Sequence, residues 1–400
     1  MTMRLLFVAD VPLENPTSGS EQVLNQQAIG LAREGMAVYA ITRQAAPPAW
    51  MVRDVNGVRE GTYRASALDI RRSLLALTKY PHRFYKRFTK DGPFGGAVCH
   101  QPFNCFSLLM TRQLQKIPKL YVFHSPSHEE YALSHEDGVW LTNLPHIAAR
   151  LMIEGFCVRR CAKIMVLSRY MKKKVQDIHG IPPHRIMVNP GGVDLNHFRP
   201  PQDREALKHR LGLSGDKLHL LTVRNLEPRM GLDNLLKCIH LLKKNRHGLH
   251  LTIIGDGIER HNLENLIEKY GLYGEVTMAG FVSSELLHQY YGASDFFILP
   301  TRHLEGFGLV TPESLACGTP VLGTPVGGTK EILTSFDSRF LFRDTSPEAM
   351  AEGIEWAGQR FFPWKKEYGE LRLRCRQYAL RHYSWERHLG QLKSILDEIF

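Results

Sequence analysis

Short, nearly unbroken apolar runs alternate along the chain with segments whose apolar residues recur three and four positions apart. The first run lies in MRLLFVAD. A polar loop, VPLENPTSGS, leads to EQVLNQQAIGLAREG at helical spacing with Gly35 as its stop, and MAVYAIT follows as a second strand. Comparable runs recur at AVCH (97–100), KLYVFHS (119–125) and KIMVLS (163–168), each followed by a segment able to form a helix. Buried strands alternating with helices predict an α/β fold, a parallel sheet covered on both faces.

The pattern restarts after NPGGVDLNHFRPP. LHLLTVRNL (218–226), LHLTIIGDG (249–257), EVTMAGFV (275–282), DFFILPT (295–301) and PVLGTP (320–325) form a second strand series with helices between. Since 400 residues exceed what one core usually supports, the restart predicts two α/β domains, 1–197 and 198–381, joined near Pro200–Pro201. From His382 the tail reads as an amphipathic helix, SWERHLGQLKSILDEIF, with Ser384 as a candidate cap.

Ligands of open parallel sheets sit beyond the carboxyl ends of the strands. The unusual residues fall there: Gly19 after the first strand, His124 after KLYVF, Arg224 and Arg229 after LLTV, Gly255 and Gly257 after LTII, and Glu305 after DFFILPT. Two sets of strand ends facing each other would frame a cleft.

Charge narrows the partners only coarsely. Lys plus Arg number 51 against 40 Asp plus Glu, which favours anionic partners: nucleic acid, phosphorylated substrates or an acidic membrane surface. No recognised nucleic-acid module accompanies the charge, so the expectation is no nucleic acid. No apolar run has the length of a membrane span, and any membrane contact is expected to be peripheral. The stretch RRSLLALTKYPHRFYKRFTK (71–90) interleaves basic and aromatic residues that could rest on anionic lipid, although an exposed basic helix without that role is the simpler reading. Seven cysteines without a zinc-knuckle spacing point to a reducing cytoplasm, with Cys157 and Cys161 as two thiols on one helical face.

The densest chemistry lies at 305–332, EGFGLVTPESLACGTPVLGTPVGGTKEI. Thr311 and Pro312 read as the N-cap and first turn of a helix over PESLACG, stopped by Gly318. Gly306 and Gly308 just before it leave backbone amides able to approach a ligand closely. A helix start with bare amides attracts phosphate. Glu305 and Glu313 on either side could accept hydrogen bonds from sugar hydroxyls, and Glu313 alone could equally complement the helix dipole.

Glu305-Gly306-Phe307-Gly308, Glu313, Ala316, Gly318-Thr319-Pro320-Val321 and Gly327-Gly328 resemble the paired-glutamate region of family 4 glycosyltransferases, retaining enzymes of the GT-B fold. The likeness covers nearly the whole chain: GSEQ and LAREG, HSPSHEEY, VLSRYM, NPGGVD with Phe198, VRNLEPRMGLDNLL, IIGDG, GFV and SWERH occur in order. It implies two Rossmann-like domains with parallel sheets facing across a cleft. The N-terminal one would bind acceptor, the C-terminal one nucleotide sugar, and the 382–400 helix would return to the N-terminal domain.

The resemblance also implies roles. Glu305 would contact donor-sugar hydroxyls and Glu313 the nucleotide ribose. Gly306, Phe307, Gly308 and Leu309 would present amides to sugar and diphosphate, and Arg224 would bind phosphate. His124 would reach the donor sugar from the N-terminal domain, while Phe281 and Val282 belong to the segment that reads the base. Gly255 would allow close nucleotide approach, or simply a tight turn. Two positions depart from the family pattern. Met230 stands where a lysine usually precedes Gly231, leaving Arg229 to supply the charge, and Gly19-Ser20 replaces a glycine pair.

The expected reaction is hexosyl transfer from GDP-mannose or a UDP-hexose to an acceptor hydroxyl, without cofactor and, for want of an Asp-x-Asp motif, without metal. The acceptor would be a carbohydrate or glycolipid, as in envelope or exopolysaccharide synthesis, met in the cytoplasm or on the cytoplasmic face of a membrane. Rival readings are an inactive nucleotide-sugar-binding protein and an epimerase or phosphorylase of the same architecture. A dehydrogenase is disfavoured because no G-x-G-x-x-G follows the first strand.

Overall fold

Each apolar run named above becomes a strand. The structure, a computed structural model, describes residues 3–44, 50–65, 70–134, 140–213, 216–245, 248–361 and 366–400, the side chains of 70–75, 140–142 and 245 apart. The chain divides into two units, Met1–Pro190 with His388–Phe400, and Gly191–Arg387.

In the first unit the strands are β1 (Arg4–Val8), β2 (Ala37–Gln44), β3 (Trp50–Val55), β4 (Val58–Arg64), β5 (Gly96–Cys99), β6 (Lys119–Phe123), β7 (Lys163–Val166) and β8 (Ile186–Val188). They form one sheet in the order β3-β4-β2-β1-β5-β6-β7-β8. Every pairing is parallel except β3 with β4. Leu5, Phe7, Val98, Leu120 and Val122 have no exposed surface, as strands covered on both faces require. The β3–β4 hairpin was not anticipated, although its turn carries a strong local signal. Asn56 and Gly57 both adopt positive φ, 50° and 89°, the mirror-image turn that an Asn-Gly pair favours between twisted strands.

The C-terminal helix, Trp385–Asp397, buries Leu389, Leu392, Ile395 and Leu396 in the same core as Leu24 and Ala28. Ser384 caps it by accepting from Arg387 N at 3.1 Å. The crossing back into the first unit is tied at His388. Asn189 Nδ2 donates to its carbonyl at 3.0 Å, and its Nδ1 lies 2.7 Å from the Pro190 carbonyl. The unit boundaries therefore fall at Pro190/Gly191 and Arg387/His388, several residues from the 197/198 and 381/382 divisions expected from the sequence. Hydropathy marks the end of an element, whereas contacts decide which core it joins.

The second unit holds β9 (Leu218–Val223), β10 (Leu249–Ile254), β11 (Val276–Gly280), β12 (Phe296–Leu299) and β13 (Val321–Gly323), in the order β11-β10-β9-β12-β13. All pairings are parallel. The strand order reverses between β9 and β12, and at such a reversal the adjoining loops diverge and open a crevice at the carboxyl edge.

Two expectations change. In the helix Ile70–Phe88 the aromatic residues face inward: Phe84 and Phe88 are fully buried, and Tyr80 stacks on Tyr63 at 5.4 Å. Lys79, Arg83, Lys86 and Arg87 are exposed, so among the described side chains this surface is basic without aromatic anchors; the side chains of residues 71–75 lie outside the described set. Cys157 lies on the helix Trp140–Arg159 but Cys161 follows its end, so the two thiols do not share a helical face. They gather with Cys99 and Cys105 inside the first unit, where contacts with Cys105 and Cys161, together with burial, push the Cys99 thiol well up. No helix of the described residues is long and apolar enough to cross a membrane.

Candidate active site

At the strand-order reversal of the second unit, Arg224 directly follows β9, and Glu305 follows β12 across a short loop. The two side chains form an ion pair, Arg224 Nη2 to Glu305 Oε2, at 2.5 Å. Thr301 joins them, its hydroxyl accepting from Arg224 Nη2 at 2.9 Å and donating to Glu305 Oε2 at 3.1 Å. Both charged residues are buried, with 8% of each exposed. In so enclosed a setting each charge depends on the other, because an unpaired one would lack both water and partner. The thioether of Met230 lies against the same Arg224 nitrogen, and Arg224 Nε is buried without a hydrogen-bond partner among the described residues.

The loop carrying Glu305 is held from several sides. Leu304 has a φ of 56°, a conformation that a bulky residue adopts only under constraint. Arg229 supplies that constraint. Its Nη1 donates to the Leu304 carbonyl at 3.0 Å while its Nε pairs with Glu227 at 3.0 Å, and its own carbonyl accepts from Arg302 N at 2.9 Å. Gly327 closes the other side. A Cβ there would come within 2.0 Å of the Glu305 carbonyl, which also accepts from Gly328 N at 2.9 Å, so only glycine permits this approach. Gly255 serves a similar purpose: the close contact it allows is with the Arg224 carbonyl, 1.8 Å from where a Cβ would stand.

The helix beyond this loop runs Val310–Ala316, with Leu309 at the cap position. Thr311 and Pro312 are therefore inside its first turn and buried, the helix starting two residues earlier than the sequence suggested, since Gly308 at φ 79° already turns the chain into the helix. Phe307 packs its ring against Tyr383 at 5.8 Å. Glu313 is buried and accepts from the Tyr291 hydroxyl at 3.0 Å. Burial first and this carboxylate second push the Tyr291 phenol well up. Phe281, 71% exposed, and half-buried Val282 follow β11 at the sheet's edge, two strands away from β9.

In the first unit His124 directly follows β6, and His100 directly follows the neighbouring β5. Their rings meet, His100 Nδ1 to His124 Nε2, at 3.0 Å. Burial, then the nearby His388, holds His124 down at about 4, and burial alone brings His388 to about 4. His100, enclosed and facing both other imidazoles, lies well below its ordinary value. All three are neutral near neutral pH. Gly19 opens the helix Gly19–Arg33, whose cap is Ser18 paired reciprocally with Glu21; its φ is ordinary, so the helix rather than a turn explains its place. The sequence reading missed His100 and also Asp10, whose carboxylate accepts from Phe103 N and Asn104 N, both at 2.8 Å. Position just beyond a strand end was the available signal for both.

Family models match most of the chain: glycosyltransferase family 4 over residues 17–197 and glycosyl transferases group 1 over 203–381. A D-inositol 3-phosphate glycosyltransferase of Geodermatophilus obscurus is 31% identical, with 97% of this chain and 87% of the relative aligned. The chain belongs to the family 4 glycosyltransferases. Among solved structures, sucrose-phosphate synthase from Thermosynechococcus elongatus superposes with a TM-score of 0.82 at 21% identity, covering 99% of both chains. HepE of Anabaena, solved with UDP, gives 0.74 at 16% identity, covering 99% of this chain and 100% of that one. The fold of this glycosyltransferase is GT-B.

Membership sharpens the meaning of Met230. Where the family pattern has a lysine, this glycosyltransferase buries a thioether against Arg224, and the neighbouring Arg229 is committed to Glu227 and the Leu304 carbonyl.

Proposed function

We propose that this glycosyltransferase transfers a hexose from a nucleotide sugar, of the GDP-mannose or UDP-hexose class, to an acceptor hydroxyl with retention of anomeric configuration and without a metal. The bond from the anomeric carbon to the phosphate oxygen breaks, a bond to the acceptor oxygen forms on the same face, and the acceptor proton passes to the departing phosphate. Arg224 supplies positive charge for the leaving diphosphate, with Arg229 behind it and the amides of Gly306 to Leu309 beside it. Glu305 holds sugar hydroxyls and Glu313 the ribose. His124 contacts the sugar, and Phe281 with Val282 meets the base. Gly255 keeps the Arg224 backbone in place.

The observation that carries this reading is the buried Arg224–Glu305 pair at the strand-order reversal. An arriving diphosphate can take over the guanidinium and release the carboxylate to the sugar. On the acceptor side, a glycolipid remains one reading. A phosphorylated polyol is a second, favoured by the relative's named acceptor and by Arg43 and Arg150. These half-buried guanidiniums lie 5.7 and 5.2 Å from the Phe103 ring centroid, and neither is in an ion pair among the described residues.

A thermal-shift screen with UDP, GDP, ADP and their sugar conjugates, with and without chelator, tests the donor site, since a ligand of the folded state raises its melting point. Turnover with inositol 3-phosphate or a glycolipid, with product anomer read by NMR, tests the rest. Stabilisation by a nucleotide sugar without turnover on any acceptor would favour the binding-only rival. An inverted product or activity abolished by chelator would overturn the mechanism.

A further inference from the structure

The His100–His124 contact determines more than position. The two rings are inclined by only 32° with centroids 5.2 Å apart, so the 3.0 Å approach of His100 Nδ1 to His124 Nε2 runs edge to edge, where an N–H···N bond between imidazoles lies. One nitrogen holds the proton and the other offers its lone pair. The far side of His100 decides which. His100 Nε2 is sealed from solvent and has no hydrogen-bond partner among the described residues, while the Phe7 ring packs 5.8 Å from the imidazole. A proton on that nitrogen would be a stranded buried donor, at a cost of about 1–3 kcal/mol. Orphaned buried N–H groups are rarer than under-used acceptors.

His100 therefore carries its proton on Nδ1 and donates it to His124. A neutral His124 whose Nε2 accepts has its own proton on Nδ1. Neutrality follows from the enclosure of both rings and their closeness to His388. His388 is itself neutral with its proton on Nδ1, because the Pro190 carbonyl it contacts can only accept. His124 keeps part of its surface exposed, and its Nδ1 has no partner among the described residues.

We propose that His100 is a positioning residue that locks His124 in its Nδ1–H tautomer, giving the site a fixed hydrogen-bond donor for a ligand oxygen, a sugar hydroxyl or a phosphate, and no general base. The ligand half of this statement rests on the reading of His124 as a donor-sugar contact; the tautomer does not. Proton removal from the acceptor then falls to the departing phosphate, since the one lone pair of His124 is already occupied.

The test uses the full chain labelled with 15N-histidine, observed by long-range 1H–15N correlation near neutral pH. His100 and His124 signals are identified by their loss in His100→Asn and His124→Asn. Both rings are expected as Nδ1–H tautomers, and His100→Leu is expected to shift His124 toward Nε2–H or a mixture. A native His124 carrying its proton on Nε2 would overturn the proposal. Kinetically, His100→Leu should lower kcat by on the order of 10²-fold with little change in KM, and His100→Asn, which returns an amide donor near the Nδ1 position, should recover most of it. Equal losses in the two variants would reduce His100 to a packing role. If the unsubstituted chain transfers no sugar while the spectrum is as expected, the glycosyl-transfer reading fails and the tautomer stands.

Discussion

The carboxyl edges of the two sheets handle polarity in opposite ways. After β9 and β12, oppositely charged side chains are matched within a buried pocket of structure, Arg224 with Glu305 and, nearer the surface, Arg229 with Glu227. After β5 and β6, the groups are imidazoles that enclosure keeps neutral, joined nitrogen to nitrogen. A matched ion pair can exchange partners when an anion arrives, so it suits a site where charge develops and leaves. Neutral rings carry no charge to exchange and act through the direction of a single proton, which suits holding a hydroxyl.

The comparison breaks most visibly at the charged edge. Arg224→Ala strands a buried carboxylate and Glu305→Ala a buried guanidinium, and each should cost about 3–5 kcal/mol of stability. Each should also lower transfer by more than about 10²-fold. The double variant Arg224→Met/Glu305→Leu should recover much of the stability and none of the transfer, as read by thermal melts and turnover. Strict additivity of the two single losses would show that the pair is not the unit described here.

The neutral edge should respond to acid instead. His124 and His388 take their protons at about 4 in the folded chain and at an ordinary 6.5 once unfolded. The unfolded chain therefore binds more protons across that window, and stability falls as pH drops from 6.5 toward 4, by up to about 1.4 kcal/mol for each unit of lowering per group. Melting temperatures measured across this range should decline, and less steeply in His388→Asn. A melting curve indifferent to pH in that window, or an unchanged slope in the variant, would remove the imidazoles from the account.

The smallest effect sharpens the charged edge. Tyr291→Phe removes a hydroxyl that donates to Glu313 and should cost about 1–3 kcal/mol in denaturant unfolding, with donor affinity falling modestly. A loss as large as that of Arg224→Ala would mean that Glu313, rather than Glu305, anchors the pocket.

The strand series and its restart were legible because strands covered on both faces leave continuous apolar runs, and those runs became the two parallel sheets. The carboxyl-edge residues were legible for a related reason: a polar or glycine residue at the end of such a run has few structural duties, so Arg224, Glu305 and His124 stood out. The β3–β4 hairpin escaped because β3 is partly exposed and β4, though largely buried, is mixed in polarity, although Asn56-Gly57 marked the turn.

What the linear chain could not contain is pairing. Arg224 and Glu305 are 81 positions apart and meet only because β9 and β12 are neighbours where the strand order reverses. Gly327 is held to glycine by its φ of 56° and by the Glu305 carbonyl, which arrives 2.0 Å from its missing Cβ. His100, 24 positions before His124, became visible once β5 and β6 lay side by side and left one of its nitrogens buried without a partner. Sequence alone determined the family, the fold and most of the residues at the strand ends, because local polarity and spacing carry that information. Tertiary structure decided which charges compensate each other and which nitrogen holds a proton, because both depend on contacts between strands distant in the chain and on the loss of water around them.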